Sequence, residues 1–145
     1  MIHLKNVIYT GSNDRKSLVD LTIPDHFNKK LILFLHGYMG FKDWGAWNLV
    51  EDYFVKRGFG FCKFNFSHNG GTTENPIDFP DLKAFAENNY STEVADIGNV
   101  LDWLEEQLDV LPEIHLLGHS RGGGIALIAA DDYRVSSVTT LAAIS

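Results

Sequence analysis

Ser120 stands at the centre of Gly118-His119-Ser120-Arg121-Gly122, a G-x-S-x-G pentapeptide. The apolar run Ile114-His115-Leu116-Leu117 precedes it, and the small-residue run Gly123-Gly124-Ile125-Ala126-Leu127-Ile128-Ala129-Ala130 follows. That context predicts a sharp strand-to-helix turn that lifts the serine hydroxyl above a sheet. A serine hydroxyl is a weak nucleophile at neutral pH and needs a general base. A tight elbow presents it to such a base and to a substrate carbonyl at once. Gly118 and Gly122 suit the elbow, because a Cβ at either would crowd the strand against the helix. The helix N-terminus also aims N–H groups at the same point, which favours a developing oxyanion. The plainer alternative is a glycine-rich turn carrying an idle serine.

A second corner points to the same chemistry. His36-Gly37 follows Leu31-Ile32-Leu33-Phe34-Leu35, the most apolar run in the chain. Sites in doubly wound sheets form outside the carboxyl ends of the strands, so this corner and the Ser120 elbow should share an edge. The backbone N–H groups of Tyr38 and Arg121 can then hold an oxyanion between them. The His36 side chain is expected to shape the turn, with Gly37 letting the two corners approach.

A base is harder to place. His119 neighbours Ser120 in an extended segment, so its side chain should point to the opposite face. His115 lies within a strand, and His3 and His26 lie near the first hairpin. His68 follows the fourth strand and so reaches the correct edge; it is the best internal candidate, set against an ordinary surface role for a loop histidine. Phe79, Phe85 and Tyr90 either line an acyl pocket or pack their loop onto the body. Asp78 and Asp81 either meet a substrate amine or are solvated. Trp44 and Trp47 read as core, with substrate contact the lesser alternative, and the Arg121 side chain reads as a carboxylate binder or a structural ion pair. No metal set, P-loop or dinucleotide fingerprint is present, so neither metal nor cofactor is expected.

The elements that must position these residues follow from periodicity. Residues 2–9 and 18–24 read as two strands around Gly11-Ser12-Asn13-Asp14, the second half-buried because Val19, Leu21 and Ile23 alternate with Asp20 and Thr22. Residues 31–35 read as a strand buried on both faces. A helix over 46–57 ends at Gly58, and residues 59–66 form an aromatic strand. The segment 67–90 is too long for a plain connector and contains a short helix near 81–88. Ser91 caps a helix over 92–108 with Val94, Ile97, Leu101 and Leu104 on one stripe and Asp96 off it. A strand over 113–118 follows, then a helix over 121–131 that is apolar all round and should be buried. Residues 135–144 form a last strand. A hairpin followed by alternating strands and helices implies an α/β fold with a mostly parallel sheet covered on both faces.

Composition agrees with one globular domain over residues 1–145. The chain is 45% hydrophobic and 21% charged, with net charge −7 and one cysteine, Cys62. The negative charge argues against nucleic acid or an anionic membrane as partner. A lone, apolar-flanked cysteine reads as a reduced core thiol. The N-terminus lacks a signal-peptide pattern and no apolar run approaches a membrane span, so a cytoplasmic protein is expected.

The two motifs, Leu31 through Gly37 and Gly118 through Gly123, resemble those of the α/β-hydrolase superfamily, in particular its serine aminopeptidase, lysophospholipase and esterase-like branch. The resemblance covers essentially the whole chain but only the first six of the usual eight strands. It implies Ser120 as nucleophile, Tyr38 and Arg121 as oxyanion donors, and a small-molecule acyl substrate carried as an ester, thioester or amide. It also implies an acid after the sixth or seventh strand and a histidine after the eighth, positions that no residue of this chain matches. The expectation is therefore a fragment of a longer hydrolase, nearly inactive alone. Completion by another chain, a non-catalytic binding or assembly module, and an acyltransferase or haloperoxidase-like enzyme are the alternatives. The open edge of the last strand should favour self-association.

Overall fold

After an opening hairpin, strands are joined by helices, one connection carrying two of them, and these connections decide the sheet. The computed structural model describes residues 1–144. β1 (Ile2–Thr10) and β2 (Lys16–Ile23) form the hairpin, followed by β3 (Lys30–Leu35), α1 (Trp47–Val55) and β4 (Gly60–Phe64). Then come α2 (Leu82–Glu87), α3 (Tyr90–Gln107), β5 (Glu113–His119), α4 (Arg121–Ala129) and β6 (Val135–Leu141). The strand order is β1-β2-β4-β3-β5-β6. β1–β2 and β2–β4 pair antiparallel; β4–β3, β3–β5 and β5–β6 pair parallel, because a helix returns the chain each time. The carboxyl ends of β3, β4, β5 and β6 thus lie at one edge.

The continuous apolar run of β3 is buried on both faces, as its composition requires. Leu31, Leu33 and Leu35 join Phe64, Leu116, Leu101 and Ile125 in the larger core, under α3 and α4. Ile32 and Phe34 face the other way and pack with Phe61, Leu117 and Trp47 under α1. Cys62 is buried in the larger core as a free thiol. Among the described residues no helix is long and apolar enough to cross a membrane.

Five expectations need correction. β2 is buried along both faces rather than half-buried, because Asp20 meets lysines on its far side and Thr22 meets His3. α3 is capped by Asn89, not Ser91: the Asn89 side chain accepts from Thr92 N at 2.8 Å, so the helix begins at Tyr90. Asp96, assigned to the solvent side of α3, is fully buried. α4 is not buried all round; Leu127 and Ile128 are 59% and 50% exposed, since α3 and the sheet cover only its other sides. β6 ends at Leu141, where Ala142 turns to φ +50°.

Candidate active site

The backbone at Ser120 departs from both flanking elements. Its φ of 54° and ψ of −120° lie where a non-glycine residue is strained, at a cost of about 1–3 kcal/mol. Backbone hydrogen bonds hold the bend: Ser120 N donates to Leu141 O at 2.9 Å, and Ser120 O accepts from Gly123 N at 2.9 Å and Ile144 N at 3.3 Å. Close approach explains the flanking glycines. A Cβ on Gly118 would stand 2.4 Å from Gly122 O, and one on Gly122 would stand 2.3 Å from Leu35 O. The first turn of α4 therefore lies against the end of β3, where the histidine-glycine corner begins.

That corner meets the elbow directly. A Cβ on Gly37 would fall 3.2 Å from Ser120 Cβ and 3.1 Å from His119 O. His36 fixes the turn with both ring nitrogens: Nε2 accepts from Phe66 N at 3.1 Å, so Nδ1 carries the proton and donates to Gly37 O at 2.9 Å. Gly40 N donates to the same carbonyl at 3.0 Å. Burial of His36 lowers its pKa to about 4, so the ring is neutral at physiological pH. The amides of Tyr38 and Arg121 take no part in these turn hydrogen bonds. They flank the Gly37–Ser120 contact, and Arg121 opens α4, whose dipole adds positive potential there.

The remaining sequence candidates separate clearly. The Arg121 side chain forms an ion pair with Glu93 and lies 4.5 Å over the Tyr90 ring, so of its two fates it takes the structural one. Burial raises the pKa of Glu93 against the opposing pull of Arg121. His68 is buried rather than a surface loop residue. Its Nδ1 stands 2.7 Å from Ser67 Oγ, which itself donates to the Asp96 carboxylate at 2.8 Å, so His68 donates to Ser67 and is not hydrogen-bonded to Ser120. Asp81 pairs with Arg15 at 2.9 Å and caps α2 through Ala84 N at 3.0 Å. Phe79 packs on Phe41, Phe85 on Tyr38, and Tyr90 under Arg121.

Phe85 and Arg121 also line a small cavity of about 90 Å³ with His36 and Tyr38, and a larger one of about 300 Å³ is lined by Tyr38, Met39, Trp44, Trp47, His119 and Ser120 among others. His119 was expected to face away from Ser120. It lines this same cavity, with its ring 5.0 Å from Trp47, because strand alternation ends at the positive φ of Ser120. Tyr38 and Met39 as wall residues escaped the sequence reading. The available signal was a density of large apolar residues, Tyr38, Met39, Phe41, Trp44 and Trp47, in a glycine-containing loop after a buried strand. Among the described residues no three histidine, cysteine or acidic side chains cluster to hold a metal.

A buried strand, an elbow with its serine at positive φ, and a histidine-glycine corner pressed against it make up the candidate site. The model of the α/β hydrolase fold matches residues 30–145, and the chain belongs to that family. Among solved structures, a dienelactone hydrolase from Anabaena variabilis superposes with TM-score 0.78 at 20% identity, over 98% of this chain and 63% of its own. An α/β serine hydrolase without a lid from Xanthomonas campestris gives TM-score 0.73 at 15% identity, over 95% of this chain and 60% of its own. A highly thermostable carboxyl esterase from Bacillus coagulans, in complex with glycerol, gives 0.74 at 16% identity, over 97% and 44%. At these identities the likeness is one of fold, and the chain spans less than two thirds of each relative. No curated protein matches the sequence.

Proposed function

We propose that the chain carries the nucleophile and oxyanion half of a serine hydrolase acting on carboxylic esters, thioesters or amides. The observation that carries this reading is the strained Ser120 elbow set against Gly37. Ser120 Oγ attacks the acyl carbonyl carbon while its proton passes to a base. The carbonyl oxygen takes the negative charge and is met by the N–H groups of Tyr38 and Arg121. Collapse of the tetrahedral species expels the alcohol, thiol or amine, which takes up the proton, and leaves an acyl-Ser120 ester. Water attacks that ester by the same route and releases the acid. The base and its acid partner would come from polypeptide of the kind that the longer relatives carry. His68 holds Ser67 through Nδ1 and makes no hydrogen bond to Ser120.

The same reading makes the open edge of β6 a self-association surface, since its residues Val135 to Leu141 bear no charge and no proline to deter a neighbour. A net charge of −7 and a buried reduced thiol fit a cytoplasmic setting.

A fluorophosphonate probe tests the chemistry. The 145-residue chain should label slowly at Ser120. Added imidazole, a base in solution, should speed the labelling, and Ser120→Ala should abolish it. No labelling of Ser120 with or without imidazole would overturn the proposal.

A further inference from the structure

The cavity beside Ser120 has an unusual wall. Tyr38, Met39 and Trp44 are 62%, 58% and 51% exposed, large apolar groups held in water within one short loop. Scattered apolar exposure needs no explanation, but three such side chains converging on one cavity mark a binding surface. Trp47 forms the floor, its ring 4.4 Å from Phe34 and 5.0 Å from His119. Among the described residues no carboxylate, ammonium or guanidinium lines the space. A volume of about 300 Å³ sits at the lower end for small-molecule sites, which run from about 300 to 1,000 Å³.

The loop that presents Trp44 is fastened from beneath by charge. Lys42 and Lys63 are both buried, as is Asp20. Lys42 Nζ reaches Asp20 at 3.0 Å, Asp43 at 2.7 Å and Asn6 Oδ1 at 2.6 Å. Lys63 Nζ reaches Asp20 and Asp43, each at 2.8 Å. The Lys42 amide donates to Asn65 Oδ1 at 2.7 Å, and Trp44 N donates to Phe41 O at 3.1 Å. Burying two ammonium groups is an expensive way to pin a loop that apolar side chains could have packed. What the network provides is position. The backbone immediately before Trp44 is fixed, so the indole stands at the cavity mouth without having to be ordered by a ligand.

We propose that this cavity receives an uncharged aromatic acyl group, stacked against Trp44 and Trp47 with its carbonyl at Ser120, and that the Asp20–Lys42–Lys63–Asp43 network positions Trp44 to receive it. The proposal rests on the hydrolase reading for the carbonyl's destination. Aromatic faces reward a ring beyond the area it buries, which a saturated ring of like size does not share. Trp44 and Trp47 are then specificity-determining residues, and Asp43 is a positioning residue.

Methyl 3-phenylpropanoate and methyl 3-cyclohexylpropanoate, titrated into the 145-residue chain with tryptophan fluorescence as readout, test it. The aryl ester should bind several-fold more tightly. Trp44→Ala should erase the difference, and Trp44→Leu serves equally if the alanine variant fails to fold. Asp43→Asn should weaken aryl binding several-fold and lower the fluorescence anisotropy, while Trp44→Phe should largely retain the preference for the aryl ester. Equal binding of the two esters, no binding of either, or a preference that survives Trp44→Ala would overturn the proposal. Repeating the titration in Ser120→Ala separates the two ideas. An unreactive serine would end the hydrolase reading yet leave the aryl preference measurable, and a reactive serine with no aryl preference would do the reverse.

Discussion

The two halves of the sheet are finished to different degrees. Around β1, β2 and β4, polar groups from distant parts of the chain close on one another. Asp20 joins Lys42 and Lys63, and the buried Asp96 carboxylate accepts from Ser12 N, Ser12 Oγ, Ser67 N and Ser67 Oγ at 2.7–2.9 Å. The edge strand on that side is guarded as well. β1 carries Lys5 and breaks its register between Leu4 and Val7, where Asn6 turns to φ +55° and is held by Asp20 and Lys42. Around β5, α4 and β6 the pattern reverses. Leu127, Ile128, Leu141 and Ile144 lie open, and the edge strand runs regularly from Ser137 to Leu141 without a charge. Parallel strands are normally covered on both faces, and β6, whose residues are all exposed or half-buried, falls short of that rule among the described residues. The difference shows where this fold spends its charge: beneath the loop that frames Ser120, and not along the edge of β6.

The sharpest way to break the comparison is Asp20→Ala. It leaves two buried ammoniums with only the more exposed Asp43 as counter-ion and should cost about 3–5 kcal/mol in urea unfolding. A loss below about 1 kcal/mol would mean that the network is solvated and that the first half is no more finished than the second. Acid provides the next test. His36 is buried neutral, with its pKa brought from 6.5 to about 4. Its contribution is complete above pH 6.5 and is lost as pH falls from 6.5 towards 4, because the unfolded chain takes up a proton that the folded chain refuses. The expected loss is about 3 kcal/mol. Carboxylates titrate in the same range, so the measure is the difference between the native chain and His36→Asn at pH 7 and pH 4.5. Equal pH slopes in the two proteins would remove His36 from the account. The smallest effect on stability belongs to the open half. Leu127→Gln combined with Ile128→Gln should shift unfolding by no more than about 0.5 kcal/mol. The pair should leave self-association through the β6 edge unchanged in sedimentation velocity; a large destabilisation would show that this face is already covered.

Local pattern carried the architecture. β3 is continuously apolar, α1 places Trp47, Val50 and Phe54 on one face, and glycines bracket Ser120, so these elements and the turn between β5 and α4 could be placed from the chain itself. What escaped are features whose cause lies far off in sequence. Asp96 looked solvated on the helical wheel, but its partner Ser12 is 84 residues away. His68 looked like a surface residue, yet the Ser67–Asp96 knot draws it inward. Asp20 alternated as an outward residue should, until lysines on β4 and in the loop after β3 converged on it. Leu127 and Ile128 mark the opposite limit. Their apolarity was plain, but composition records that a side chain prefers cover and not whether this chain supplies it.

The tail of β6 does more than end a sheet. Both backbone polar groups of Ser120 are laced to it, the amide to Leu141 O at 2.9 Å and the carbonyl to Ile144 N at 3.3 Å. The left-handed kink under the serine is thus not inherited from β5 and α4 alone. A version cut back to the close of α4 would keep the signature pentapeptide intact and lose the two laces that hold its middle residue upright.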